Sequence, residues 1–215
     1  MKIVEPSFSF ESPVDREQIL KHIERAGRTC YKSEGKIGDG TAAAFVRSVV
    51  KRGHESVLEH VSLTMRVVCD RGVSHEIVRH RIASYSQEST RYCNYGDGKF
   101  ENQVSFVRPC FWQEDTPEAR AKMKVWEEAM ESAETAYKDL LAMGATPQEA
   151  RSVLPNSLRT ELVMTMDLRE WRHFFRLRCD RASHPQMREL AIPMLAEFQR
   201  LLPEIFEDLG TEFSY

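Results

Sequence analysis

Apolar residues at Ile19, Leu20, Ile23 and Ala26 recur at the spacing of an amphipathic helix and predict one over residues 15–30. Gly35, Gly38 and Gly40 mark a loop, and a second helix is expected over residues 41–51. Residues 61–69 are apolar and β-branched, with Leu63, Met65 and Val67 alternating onto one side, the pattern of a strand. A third helix is expected from about residue 73 to residue 81, where Glu76, Arg79 and His80 would share a face at i, i+3 and i+4. Residues 82–92 have no clear period and read as loop with some extended structure, and residues 103–107 as a short strand.

The longest helix is expected to start at Thr116 as N-cap, with Pro117 at the first helical position. Trp126, Met130, Ala133, Tyr137 and Leu140 form its buried stripe, and Gly144 stops it. Thr146-Pro147-Gln148-Glu149 is a capping box opening a short helix that must end near Pro155. Residues 160–166 read as a strand, after which Asp167 caps a helix carrying Leu168, Trp171, Phe174 and Phe175. Leu168, Trp171, Phe175 and Arg178 fall on one face of it, which puts Arg178 on the apolar side and leaves Arg169, Arg172 and Arg176 facing solvent. Ser183 with Gln186 opens the last helix, with a kink expected at Pro193. The sum is an α+β fold: a mostly helical single domain around a modest twisted sheet, covering residues 1–215.

Composition narrows the picture. A chain of 215 residues supports one substantial core, and no apolar run approaches the ~20 residues of a membrane span. The first residues lack the hydrophobic region of a signal peptide. Five dispersed cysteines without a CxxC pair indicate neither a zinc site nor a disulfide framework, which fits a reducing cytoplasm. A net charge of −3 argues against a nucleic-acid partner. The arginines nevertheless cluster, at Arg79, Arg81 and Arg91 and again at Arg169, Arg172, Arg176, Arg178 and Arg181, which points to a small anionic ligand.

The richest segment is Arg79-His80-Arg81 and the ten or so residues after it. Two arginines bracketing a histidine offer many hydrogen-bond donors and a fixed positive field, suited to phosphates or an electron-rich ring. Three basic residues in a row usually form a solvated patch. Here Ile77-Val78 and Ile82-Ala83 flank them, a setting expected to pull the arginines inward, where they need an anionic partner. Ser89 and Arg91 add a hydroxyl and a bidentate fork for a phosphate monoester. His54, Glu55, Glu59 and His60 look like metal ligands, but the histidines stand six apart rather than at i and i+4, so no metal is expected. For Arg178, an ion pair with Asp180 or Glu161 is the structural alternative to a ligand contact.

These segments resemble the flavin-dependent thymidylate synthases. That family carries RHR, seven residues, then Ser, matched here by Arg79-His80-Arg81 and Ser89. His54-Glu55-Ser56-Val57-Leu58-Glu59-His60 resembles its HExxxEH segment, and Arg151-Ser152-Val153-Leu154-Pro155 its R-x-x-L-P. Leu177-Arg178 closes a stretch similar to its N-x-R-x-W-x-H-F-x-x-L-R. The resemblance implies reductive methylation of dUMP to dTMP, with methylenetetrahydrofolate as carbon donor, NADPH-reduced FAD as electron source and tetrahydrofolate released. It implies FAD contacts from Ser56, Arg79, His80, Arg81, Gln87, Asp167, Leu168, Arg169 and His173. It likewise implies dUMP contacts from Glu76, Arg79, Gln87, Glu88, Ser89, Thr90, Arg91, Arg151 and Arg178, with Arg178 catalytic at the uracil ring. Ser89 is expected to hold the nucleotide rather than attack it, and His54 and His60 to fill polar core positions. Asp167 stands where the family pattern has Asn, and an ionised carboxylate only accepts hydrogen bonds, so donation to flavin is not carried over to that side chain; Gln87 stands where Glu also occurs, so no catalytic carboxylate is assumed there. A homotetramer with sites shared between subunits is also implied. The competing readings are an RNA-binding module that stacks bases on Tyr85, Tyr92 and Trp171, and a folate- or nucleotide-binding regulator without turnover.

Overall fold

The computed structural model describes residues 1–210. The strands are β1 (Lys2–Val4), β2 (Ser7–Phe10), β3 (Ser62–Asp70), β4 (Ser84–Gln87), β5 (Ser105–Val107) and β6 (Arg159–Asp167). The helices are α1 (Arg16–Thr29), α2 (Thr41–Lys51), α3 (Arg71–Ile77), α4 (Pro117–Ala142), α5 (Pro147–Ala150), α6 (Leu168–Arg178), α7 (Pro185–Leu201) and α8 (Pro203–Phe206), with short 3-10 turns between. β2, β3, β6 and β4 form a sheet in that order, and β1 pairs in parallel with β5, Lys2 opposite Ser105. The expected α+β class, mostly helix with a small sheet, is borne out. No described helix is long and apolar enough to cross a membrane.

The chain groups into two compact units. One comprises Met1–Ser7, Val67–Arg79 and Ser86–Leu162. Its core sets Met130 and Tyr137 of α4 against Val104, Phe106 and Leu158. The other comprises Phe8–Arg66, His80–Tyr85 and the chain from Val163. Its core is aromatic: Trp171 and Phe175 of α6 pack on Phe198 of α7 with ring centroids 4.9 and 5.0 Å away. Trp171 Nε1 donates to the Leu63 carbonyl at 3.2 Å, which fixes α6 to β3.

The caps expected at Thr116, Thr146 and Asp167 are present, and Asp15 caps α1 as well. Asp15, Thr116 and Asp167 each accept a backbone N–H three residues on, and Thr146 with Glu149 closes the capping box. Four expectations need correction. The third helix runs from Arg71 to Ile77, because Asp70 caps it through the Val73 N–H at 2.6 Å and Val78 ends it. Arg79 and His80 therefore lie beyond it and share no helical face with Glu76. The last long helix is capped by His184, not Ser183: His184 Nδ1 accepts from the Gln186 N–H, and Pro185 takes the first helical position. His54 and His60 are exposed rather than in the core, since the 3-10 turn Glu55–His60 buries Val57 and Leu58 instead.

The fourth correction is Arg172, expected in solvent but only 1% exposed. It sits with Leu168, Trp171 and Phe175 at i, i+3, i+4 and i+7, so it occupies the buried stripe where an apolar residue would stand. Its Nε donates to Glu55 at 2.9 Å, its two terminal nitrogens meet Asp208 at 2.7 Å each, and it also donates to the Ile205 carbonyl. Burial alone would raise the Glu55 pKa, but Arg176 and Arg172 outweigh it and hold that carboxyl below its usual value. Truncating this buried side chain opens a cavity in the stripe and removes its bonds to Glu55 and Asp208, at a cost of about 3 kcal/mol. Arg172→Ala is therefore expected to lower the urea unfolding free energy by about 3 kcal/mol. A loss below about 1 kcal/mol would show that these bonds add nothing beyond an exposed pair.

Candidate active site

His80 lies in the link between α3 and β4 and is 4% exposed. Its Nδ1 is 3.0 Å from Oε1 of Glu170, and its Nε2 is 3.0 Å from Nε of Arg178. The Arg178 Nε–H can only donate, so His80 Nε2 must accept and Nδ1 must carry the proton that Glu170 receives. The imidazole is neutral in this arrangement. Its pKa is lowered, chiefly by burial and further by Arg178 and His173, while Glu170 opposes the shift. The Tyr85 hydroxyl donates to the His80 carbonyl at 2.8 Å, and burial, with Glu170 adding to it, pushes that phenol up to about 12. Glu170 and Arg178 both belong to α6, whose first turn is fixed by Asp167 accepting from the Glu170 N–H at 2.8 Å.

His80, Glu170 and His173 bring possible metal-ligand atoms within 4.8 Å of one another. The donor pattern opposes a cation there, because Arg178 already uses the Nε2 lone pair and Nδ1 bears a proton. Beside this cluster a cavity of about 490 Å³ is lined by Glu55, Asp167, Arg169, Glu170, His173 and Arg176, with Ile82 also on its wall. Asp167, Arg169 and His173, expected at the flavin, thus face one cavity. Arg169 is ion-paired with Glu59, and Arg176 with Glu55 at 2.8 Å. Leu168 is buried and Ser56 is exposed on the 3-10 turn.

The RHR segment turns opposite to the sequence expectation. Arg79 and Arg81 are exposed, with no carboxylate partner among the described residues, and the histidine goes inside. Burying either arginine would demand an anion, whereas a neutral imidazole needs only one donor and one acceptor, and α6 supplies both. The flanking apolar residues do not pull the segment in: Ile82 is 69% exposed.

The other unit gathers a second set around β4 and β6. Gln87 Nε2 donates to Ser74 at 3.0 Å and to Thr160 at 3.1 Å. The neighbouring Glu88 takes the opposite face and meets Arg159 and the Tyr95 hydroxyl, each at 2.6 Å. Arg151 donates to buried Thr90 at 3.0 Å, Arg91 Nε to Gln148 at 2.9 Å, and the Arg91 N–H to Ser89 Oγ at 3.3 Å. Glu76 is half-buried on α3. Glu170, Arg159 and Thr160 escaped the sequence analysis. Glu170 had one available signal, its place one turn into the helix that Asp167 caps and three residues before His173. The roles of Arg159 and Thr160 arise from strand pairing alone.

The fold is of the α+β class, with a buried histidine cluster in one unit and a polar cluster around β4 and β6 in the other. Residues 14–204 match the family model of the thymidylate synthase complementing proteins, Thy1. A flavin-dependent thymidylate synthase of Geobacter sulfurreducens is 39% identical over 87% of this chain and 81% of its own. One from Mycobacterium sp. (strain JLS) is 34% identical over 95% and 85%. Among solved structures, the UMP/dUMP methylase PolB from Streptomyces cacaoi, bound with 5-Br dUMP, matches with a TM-score of 0.80 at 24% identity, over 96% of both chains, a likeness of fold. The chain belongs to the flavin-dependent thymidylate synthase family.

The depressed His80 pKa has a consequence for stability. The unfolded chain takes up this proton near the ordinary value of 6.5, before the folded chain does. The contribution is fully present above pH 6.5 and is lost as pH falls toward the lower folded value. Urea unfolding from about pH 7.5 to about pH 5 should show stability falling across this window, and His80→Gln should flatten the fall. An unchanged slope in that variant would mean that His80 is not the neutral group described.

Proposed function

We propose that the protein converts dUMP to dTMP by reductive methylation, with FAD bound, methylenetetrahydrofolate as carbon donor, NADPH as reductant and tetrahydrofolate as product. The observation that carries this reading is the buried Glu170–His80–Arg178 arrangement, in a chain that belongs to this family. The donor set suits FAD: Arg79 and Arg81 offer unpaired guanidinia for its pyrophosphate, and His173 and Arg169 line an open cavity. Asp167 adds no donor, because its carboxylate accepts from the Glu170 N–H as the cap of α6. Bound FAD supplies the hydride chemistry that turns the transferred carbon into a methyl group.

In this reading the protein's own part is binding and electrostatics. Arg178 stays protonated and cannot act as a base. With Nε fixed on His80, its guanidinium plane is oriented to stabilise negative charge on the uracil oxygen and nitrogen. Ser89 holds the nucleotide, as its Oγ meets the Arg91 N–H rather than a base that would activate it. Arg91, Arg151, Thr90, Gln87, Glu76 and Arg79 complete the dUMP contacts. Glu88 has its carboxylate engaged by Arg159 and Tyr95, so its contribution is assigned to the backbone.

The purified protein should absorb in the flavin region and release FAD on denaturation. Arg178→Ala should keep the flavin and lose turnover by about 10²–10³-fold. A colourless protein that takes up no FAD, or near-normal turnover in the variant, would overturn the reading.

We also assign Arg91 and Arg178 to one dUMP from different subunits of a homotetramer, an assembly that the family resemblance supports. Arg91→Ala and Arg178→Ala tetramers should each be nearly inactive. Co-expressed, they should regain activity at sites whose two arginines come from complementary chains. Mixed tetramers shown to form but remaining inactive would refute the shared arrangement.

A further inference from the structure

The unit that carries α6 also holds a groove of about 580 Å³ along α1, α2 and the loop between them. Three cations line it, Arg28, Lys36 and Arg52, together with the rings of Tyr31 and Phe45, and no acidic residue does. Lys36 and Arg52 have no carboxylate partner among the described residues; Arg52 spends only its Nε, on the Ser48 carbonyl at 3.1 Å. Arg28 is the fixed member. Glu24, 1% exposed, accepts from its Nε and from one terminal nitrogen, and the guanidinium carbon lies 4.7 Å from the centroid of the Phe45 ring. Tyr31 is 63% exposed, an aromatic surface left open beside those charges.

Solvated lysines and arginines are ordinary on a protein surface. A concave site with three cations, no carboxylate wall and an open ring is the footprint of a polyanion attached to an aromatic body. The groove also adjoins the α6 cavity along the chain. Arg52 stands three residues before Glu55, which lines that cavity, so their Cα atoms are at most about 11 Å apart.

We propose that this groove docks the anionic tail of a heteroaromatic co-substrate, through oxyanion contacts to Lys36 and Arg52 and stacking on Tyr31. The proposal rests on the synthase reading above. The shared chemistry fits two sources, the phosphates of NADPH and the glutamyl carboxylates of the folate. Lys36 and Arg52 are exposed, so truncating them leaves the core intact.

The test compares the wild-type holoenzyme, the double variant Lys36→Ala/Arg52→Ala and the variant Ser33→Glu, which adds a carboxylate to the groove. Flavin bleaching without oxygen is followed with NADPH and with NADH, which lacks the 2′-phosphate. Formation of dTMP is followed with monoglutamyl and triglutamyl methylenetetrahydrofolate. If phosphate is the tail, both variants raise the KM for NADPH about tenfold and leave that for NADH unchanged. If the glutamyl chain is the tail, the KM for the triglutamyl folate rises by about as much and the monoglutamyl value holds. In either case kcat is retained. Both sets of KM values within about twofold of wild type in both variants would overturn the proposal. Titration calorimetry with inorganic tripolyphosphate, FAD and dUMP being supplied in excess, gives an arm that needs no turnover. The double variant should lose one binding equivalent, and an undiminished stoichiometry would overturn the proposal even if the wild-type protein made no dTMP.

Discussion

A neutral histidine inside a protein must be given one hydrogen-bond donor and one acceptor, and α6 gives His80 both. Glu170 and Arg178 stand eight residues apart on that helix, a little over two turns, so they project on neighbouring lines and bracket one ring. The bracket works only if α6 is fixed in rotation and in height. Asp167 sets its first turn, Trp171 bonds to the β3 backbone, and Arg172 anchors it to Glu55 and to Asp208. Two consecutive residues, Trp171 and Arg172, thus tie one helix to three partners outside it, Leu63, Glu55 and Asp208.

Arg172 shows why this helix is not held by apolar contacts alone. A leucine there would suit the aromatic core, but apolar packing slides more readily than a forked set of bonds does. Desolvating a guanidinium costs several kcal/mol, and the gain from Glu55, Asp208 and the Ile205 carbonyl offsets it without necessarily exceeding it. What these bonds add is register, since each donor meets an acceptor at one helix position only. The other unit gets its precision differently. There the alternation of β4 and β6 sends Gln87 to Thr160 on one face and Glu88 to Arg159 on the other.

The sequence revealed what is local. Helices with strong periodicity, the caps at Thr116 and Asp167, and the alternation in β3 depend on residues a few positions apart, and each is legible. Family segments were legible too, since they are ordered strings. What failed depended on distant partners. His80 is buried because Glu170, ninety residues on, accepts its proton, and no window around RHR contains that fact. Arg172 was misplaced because a hydrophobicity pattern counts charge as solvent-facing, whereas Glu55 and Asp208 made an interior for it. The end of α3 was misjudged because the apolar run continued past Ile77 while the backbone had already closed at Val78. β1, β2 and α8, at three or four residues each, are too short for any period to register.

The neutrality of His80 also bears on the charge of its neighbour. An imidazolium would turn Nε2 from acceptor into donor and set a second cation 3.0 Å from Arg178 Nε. The bond would break, and the guanidinium would lose the contact that orients its plane. Burial prevents this by lowering the pKa, and Glu170 opposes burial only in part. A fully exposed histidine would titrate close to neutrality, so Arg178 would lose its orientation as soon as the surroundings turned mildly acid. Depth, more than the carboxylate, keeps the Arg178 charge single and aimed. The inward turn of the middle residue of RHR therefore does more for the chemistry assigned to Arg178 than burial of either flanking arginine would have done.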